Sequence, residues 1–251
     1  MLVSETMDNK RLNGSDKLST IEERIVGSTA GIAAVAFDMD GLMLNTEDLY
    51  EQVGHILMQR RGKRYREEVR SLMIGLPAPE AFGVLIREEG LPETWQDLQK
   101  ETDEIFHTIL PDQLAPMVGL VELINHLDEI KMPRCVATSS TQSFARKALS
   151  IVGMLERVDF VITAEDVAKG KPHPDIYLAA AQRMSVSVEG MLVLEDSPTG
   201  TKAGVSAGAY VVSVPNEHTK HGPFEGSRWI AQSLHDKRIY ELLTNKKADS
   251  Q

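Results

Sequence analysis

Two aspartates, Asp38 and Asp40, end the apolar run Ile32-Ala33-Ala34-Val35-Ala36-Phe37, with Gly41 directly behind them. On an extended chain, residues two apart point to the same side, so both carboxylates can face one bound group. One can then attack an electrophile while the other moves protons. Alone, such a pair is more often a helix cap beside a solvated charge. Three further apolar runs, however, also end in polar residues of complementary type. "VATSS" ends in Thr138, Ser139 and Ser140, whose hydroxyls and backbone N–H groups suit an anion near a helix start, or simply cap that helix. "AKGKPHPD" carries Lys171, and prolines on both sides of His173 stiffen the loop enough to aim its charge. "MLVLEDSPTG" ends in Glu195 and Asp196. Like charges about 4 Å apart repel by roughly 1 to 4 kcal/mol, so an anion site built of carboxylates works only around a cation. Mg²⁺ takes carboxylate, phosphate and water oxygens; Asp38 and Asp196 around it, beside Lys171, make a phosphoryl pocket.

Five short β-rich runs must carry these ends: "IAAVAF", "RCVATSS", "DFVITAE", "MLVLED" and "YVVSV". Helix-like segments such as "FARKALSIVGML" and "DIYLAAAQRM" separate the last four, which predicts an α/β core with a Rossmann-like parallel sheet. Ligands of open parallel sheets bind beyond the carboxyl ends of the strands, where all the residues above fall. Between the first and second runs the pattern turns charged and helix-periodic, with Leu49, Val53, Ile56 and Leu57 on one stripe. The expected organisation is a core from 29–45 and 116–245, an inserted helical cap over 46–115, a mobile extension over 1–28 and a tail over 246–251. One continuous helical subdomain is the plainer alternative for the insertion.

The net charge of -10 and pI near 5.2 speak against nonspecific binding to nucleic acid or anionic membrane. No window reaches the roughly 18 apolar residues needed to span a bilayer, and residues 1–20 lack the apolar centre of a signal peptide, so a cytoplasmic protein is expected. Cys135, the single cysteine, reads as a small buried residue. His55, His107 and His126 read as surface or packing residues, and His218 and His221 match no common zinc spacing.

The order "DMDGLMLNTE", "ATSS", "GKPHPDIY", "LEDSPTG" resembles the four signature motifs of the haloacid dehalogenase superfamily, in the helical-cap group of phosphoglycolate phosphatase and β-phosphoglucomutase. The resemblance runs from about Ile32 to Leu243. It implies that Asp38 is the nucleophile and that Asp40 is the general acid/base and gives a backbone carbonyl to Mg²⁺. It further implies that Asp196 is a metal ligand supported by Glu195, that Thr138 and the Ser139 N–H bind the phosphoryl group, and that Lys171 neutralises it. The implied activity is Mg²⁺-dependent hydrolysis of a small phosphorylated metabolite through an aspartyl phosphate, by a monomer or weak homodimer.

Within the superfamily, Asp40 speaks against halide displacement, and the cap turn "MIGLPAPEAF" lacks the lysine that phosphonate cleavage uses. A phosphohexomutase is the alternative; in mutases that turn resembles G-x-S-R, whose arginine holds a second phosphate. Here Gly75 is followed by Leu76, Pro77 and Ala78, and Tyr50 stands where mutases tend to carry a histidine, which favours a phosphatase. Lys63, Arg64 or Arg70 could supply that charge from elsewhere in the cap. A noncatalytic phosphate-binding relative is the remaining class. Hinge motion is expected about Thr46 and Ala115. Asn45 departs from the aspartate usual in relatives, with little effect if it only caps the first cap helix.

Overall fold

The computed structural model describes residues 31–73, 76 and 78–244. The expected extension over 1–28, the tail over 246–251 and Gly75 of the cap turn lie outside the described residues. The five apolar runs form β1 (Ala34–Phe37), β2 (Arg134–Thr138), β3 (Phe160–Thr163), β4 (Met191–Glu195) and β5 (Tyr210–Ser213). They make one sheet in the order β3-β2-β1-β4-β5, and every pair is parallel. The strands are buried on both faces, which is why they read as continuous apolar runs rather than alternating ones. Because β1 is central, the end carrying Asp38 and Asp40 is flanked by the ends of β2 and β4. Chain order runs outward from β1 first to β3 and then, on the other side, to β5, opening a crevice at that point.

Strand residues alternate between two cores. Val35, Phe37, Val136, Leu192 and Leu194 face one side, against α5 (Leu120–Glu129) and α6 (Gln142–Ile151). Ala36, Cys135, Ala137 and Val193 face the other, where small side chains let α7 (Asp175–Met184) and α8 (Pro198–Ala207) come close. Burial pushes the Cys135 thiol up to about 12, so it packs as an uncharged residue. Ser197 caps α8, Pro198 occupies its first turn and Gly208 ends it in a left-handed conformation. A short C-terminal helix, α9 (Lys237–Thr244), buries Ile239 and Leu243. No helix among the described residues is long and apolar enough to cross a membrane.

Between β1 and β2 lie α1 (Thr46–Gln59), α2 (Glu67–Met73), α3 (Ala78–Glu89) and α4 (Trp95–Gln113). Leu49, Val53 and Leu57 fall one turn apart on α1 and bury with Leu98, Ile105, Phe106 and Leu110 of α4. Arg61 fixes the turn after α1 by pairing with Glu93 at 2.8 Å and Glu101 at 2.6 Å. Asn45 makes no capping bond to α1. Its amide instead joins the two connections of this segment, donating to Gln113 O at 3.2 Å and accepting from Ala115 N at 2.8 Å. Thr46, the first residue of α1, is fully buried and its hydroxyl has no hydrogen-bond partner.

Candidate active site

The carboxyl edge of the sheet collects the charged residues read from the sequence. Asp38 is 6% exposed and Asp196 3%, and Glu195 is fully buried. These three offer oxygens that all lie within 4.8 Å of one another. Lys171 enters from the loop after β3, its side chain 4% exposed. Its ammonium donates to Asp38 Oδ1 at 2.5 Å, Glu195 Oε1 at 2.6 Å and Ala137 O at 2.9 Å, using all three of its protons.

Glu195 is saturated. Tyr177 donates to Oε1 at 2.6 Å, and the Ser197 hydroxyl to Oε2 at 3.2 Å. Gly200 makes room for it: a Cβ there would fall 1.8 Å from Glu195 Oε1, so any side chain would displace the carboxylate. The aspartates are each held on one oxygen only. Asp196 Oδ2 accepts from Asn216 Nδ2 at 2.9 Å. Asp40 Oδ2 accepts from the hydroxyls of Thr138 at 3.0 Å and Ser140 at 2.8 Å. Its Oδ1 is buried without a partner. Ser140 N in turn donates to Thr138 Oγ1 at 3.0 Å, and Ser139 is exposed at the rim.

Burial is the largest influence raising Asp38 well above the ordinary carboxylate range; Lys171 opposes it, while Glu195 and Asp40 add to it. Burial likewise raises Asp196 to about 9, with the charges of Asp38, Glu195 and Glu47 adding to the effect. Burial would lower Lys171, but the charges of Asp38 and Glu195 outweigh it and hold the ammonium well above its usual value. Lys171 thus offsets only part of the negative charge gathered here. A buried set of hard oxygen donors with excess negative charge fits a divalent cation, which would let the carboxylates ionise together. Asp38 and Asp196 would hold it through carboxylate oxygens, with Glu195 behind them.

Several residues around this edge carry no charge or spacing signal in the sequence. Tyr177 closes the motif "GKPHPDIY" in the first turn of α7, where only the fold shows that it reaches Glu195. Asn216 follows β5, and nothing in "VPNEHT" pairs it with Asp196. Tyr50 of α1 stacks on Phe106 with centroids 4.4 Å apart and is 46% exposed; partial burial and then the charges of Asp40 and Glu47 raise its hydroxyl. Of the alternative cap cations, Lys63 pairs with Glu89, and Arg70 with Glu51, Glu67 and the ring of His218. His218 also contacts Asp48 at 2.7 Å, a polar role where the sequence offered only a missing zinc pattern. A shallow concavity of about 430 Å³ along α4, lined by Trp95, Gln99, Asp103 and His107 among others, contains none of the site residues.

A parallel sheet with carboxylates, a lysine and hydroxyls converging at its carboxyl edge is the arrangement of an α/β enzyme with a carboxylate nucleophile available. The chain belongs to the haloacid dehalogenase-like hydrolase family, whose model matches residues 35–214. It is 33% identical to (DL)-glycerol-3-phosphatase 2 of Arabidopsis thaliana, over 76% of this chain and 83% of that one. It is 32% identical to validoxylamine A 7'-phosphate phosphatase of Streptomyces hygroscopicus subsp. limoneus, over 72% of this chain and 85% of that one. Among solved structures, CbbY from Rhodobacter sphaeroides in complex with phosphate superposes with a TM-score of 0.68 at 26% identity, covering 82% of this chain and 96% of that chain. With these relatives and this site, the chain is a phosphoric monoester hydrolase.

Proposed function

We propose that Asp38 is the nucleophile of an Mg²⁺-dependent phosphatase acting on a small polyol, sugar or nucleoside monophosphate. The carrying observation is the division of labour within each aspartate: one oxygen is held by protein donors and the other has no protein donor among the described residues. Lys171 fixes Asp38 Oδ1, leaving Oδ2 to attack phosphorus and form an acyl phosphate as the ester oxygen departs. Thr138 and Ser140 hold Asp40 Oδ2, so the bare Oδ1 delivers a proton to the leaving oxygen and then takes one from the water that hydrolyses the intermediate. A divalent cation held by Asp38 and Asp196 would supply neutralising charge for the phosphoryl group. The Ser139 N–H would complete the phosphoryl site, and Lys171, its three protons already engaged, contributes charge alone.

We assign the four helices α1 to α4 the role of a cap that covers this edge and moves about Thr46 and the stitched connections at Asn45 and Ala115. The name of the relative at 33% identity, a glycerol-3-phosphatase, supports a polyol leaving group. No arginine follows Gly75 to hold a second phosphate, which favours hydrolysis over phosphohexomutase chemistry. The test is phosphate release from a panel of polyol, sugar, nucleoside and short-chain acid monophosphates, with Mg²⁺ or with chelator, beside Asp38→Asn. Release that needs Mg²⁺ and disappears in the variant supports the reading. Equal release by the variant removes Asp38 as nucleophile, and hexose phosphate isomerisation without release replaces the phosphatase by a mutase.

A further inference from the structure

Asp196 has one hydrogen-bond donor to its side chain among the described residues, and that donor comes from outside all four motifs. Asn216 lies three residues beyond β5. Its Nδ2 donates to Asp196 Oδ2 at 2.9 Å and to Gly41 O at 3.0 Å, so it ties the loop after β4 to the loop after β1. Its Oδ1 accepts from the backbone N–H groups of His218 at 2.8 Å and Thr219 at 3.2 Å. These bonds fix which way round the amide sits. Turned over, it would set its oxygen against a carboxylate and a carbonyl while leaving two N–H groups facing its NH₂. Gly41 permits the junction: at φ +79°, it leaves open a space where a Cβ would lie 2.6 Å from both Asn216 Nδ2 and Asp196 Oδ2. The turn is anchored on its far side, where His218 contacts Asp48 of α1 at 2.7 Å and the guanidinium of Arg70 from α2.

We propose that Asn216 is a positioning residue that holds Asp196 by Oδ2 so that Oδ1 is presented to a divalent cation at the carboxyl edge. The inference rests on the cation reading of the site given above. A carboxylate free to rotate would spread its lone pairs over several orientations, and ligand groups of this kind, when their supporting hydrogen bond is removed, lose 10–100-fold in metal affinity. The bond to Gly41 O adds a second effect, keeping the loop that carries Asp38 and Asp40 at a fixed distance from Asp196.

The decisive variant is Asn216→Ser. A serine hydroxyl can still accept from the His218 N–H and keep the turn, but it is too short to reach Asp196. Asn216→Ala removes both functions. Calorimetric titration of the full chain with Mg²⁺ alone, together with thermal unfolding in chelator, separates positioning from scaffolding. The expected result for Asn216→Ser is at least tenfold weaker Mg²⁺ binding with little change in unfolding temperature in chelator. The Mg²⁺ concentration needed for half-maximal turnover rises by the same factor, while KM for the ester at saturating Mg²⁺ stays within about twofold. Mg²⁺ affinity within twofold of wild type in Asn216→Ser overturns the proposal. So does a loss of fold in chelator for both variants, which would make Asn216 a scaffold residue. A wild-type chain that binds no Mg²⁺ overturns the cation reading itself and this proposal with it.

Discussion

The two edges of one sheet use the same charged residue types to opposite ends. At the amino edge, Arg134 opens β2 and meets Asp128 of α5, which also receives Arg157. Two cations there face one half-exposed carboxylate, and Asp128 is held below its usual range by its bond from Arg157 and then by Arg134. At the carboxyl edge, Asp38, Glu195 and Asp196 converge around Lys171, and burial drives Asp38 and Asp196 upward. Opposite charges paired on a half-exposed carboxylate brace a fold; like charges gathered out of water oppose the fold's own stability and mark a site for a ligand of opposite charge.

The sharpest way to break that contrast is Asp38→Asn. Turnover should fall by about 10³-fold or more, while the unfolding temperature without added cation holds or rises because one like charge is gone. Lost activity together with lost fold would mean that the carboxyl edge is structural after all. Asp40→Asn should lower turnover by about 10²- to 10⁴-fold, measured at saturating Mg²⁺ with KM largely kept, because only the mobile proton is lost.

Chelation and pH probe the same difference through stability. Asp196 titrates near 9 in the folded chain, well above the ordinary carboxylate value of 3.8. Between these values the unfolded chain has released a proton that the folded chain retains, so stability in chelator should fall as pH rises from about 4 toward 9. Asp128, lowered by its arginines, contributes the opposite slope: its stabilisation is present above the ordinary carboxylate range and is lost as pH falls through its depressed folded value. Unfolding temperatures read against pH, with and without Mg²⁺, should show the alkaline decline only in chelator. An equal decline in both would separate the cation from these carboxylates.

The smallest effect belongs to the amino edge. Asp128→Asn should cost about 1 kcal/mol, discounted for solvent screening, and lower the unfolding temperature by about 2–4 °C with turnover per folded molecule unchanged. A fall in turnover beyond twofold would show that the two edges are coupled through the sheet.

Much of this was legible in the chain because it is written in local chemistry. Apolar runs of strand length ending in Asp38, Thr138 and Glu195 named both the sheet and its working edge, since a parallel sheet aligns every carboxyl end on one side. Capping of the first cap helix was one role open to Asn45 from sequence; its amide instead spans the two connections of the helical insertion, a donor and acceptor pairing that an aspartate could not make in full. Ser140 stood beside Thr138 in the motif, but its bond to Asp40 depended on β1 and β2 being neighbours.

The sequence by itself determined which residues could carry the chemistry and in what order along the chain, because motif, strand length and turn residues act within a few positions of one another. Tertiary structure alone decided which oxygen of each aspartate is held and which is free. Lys171, Asn216 and the pair Thr138 and Ser140 set that choice from three different parts of the chain, and distances between such parts follow from packing of the whole core.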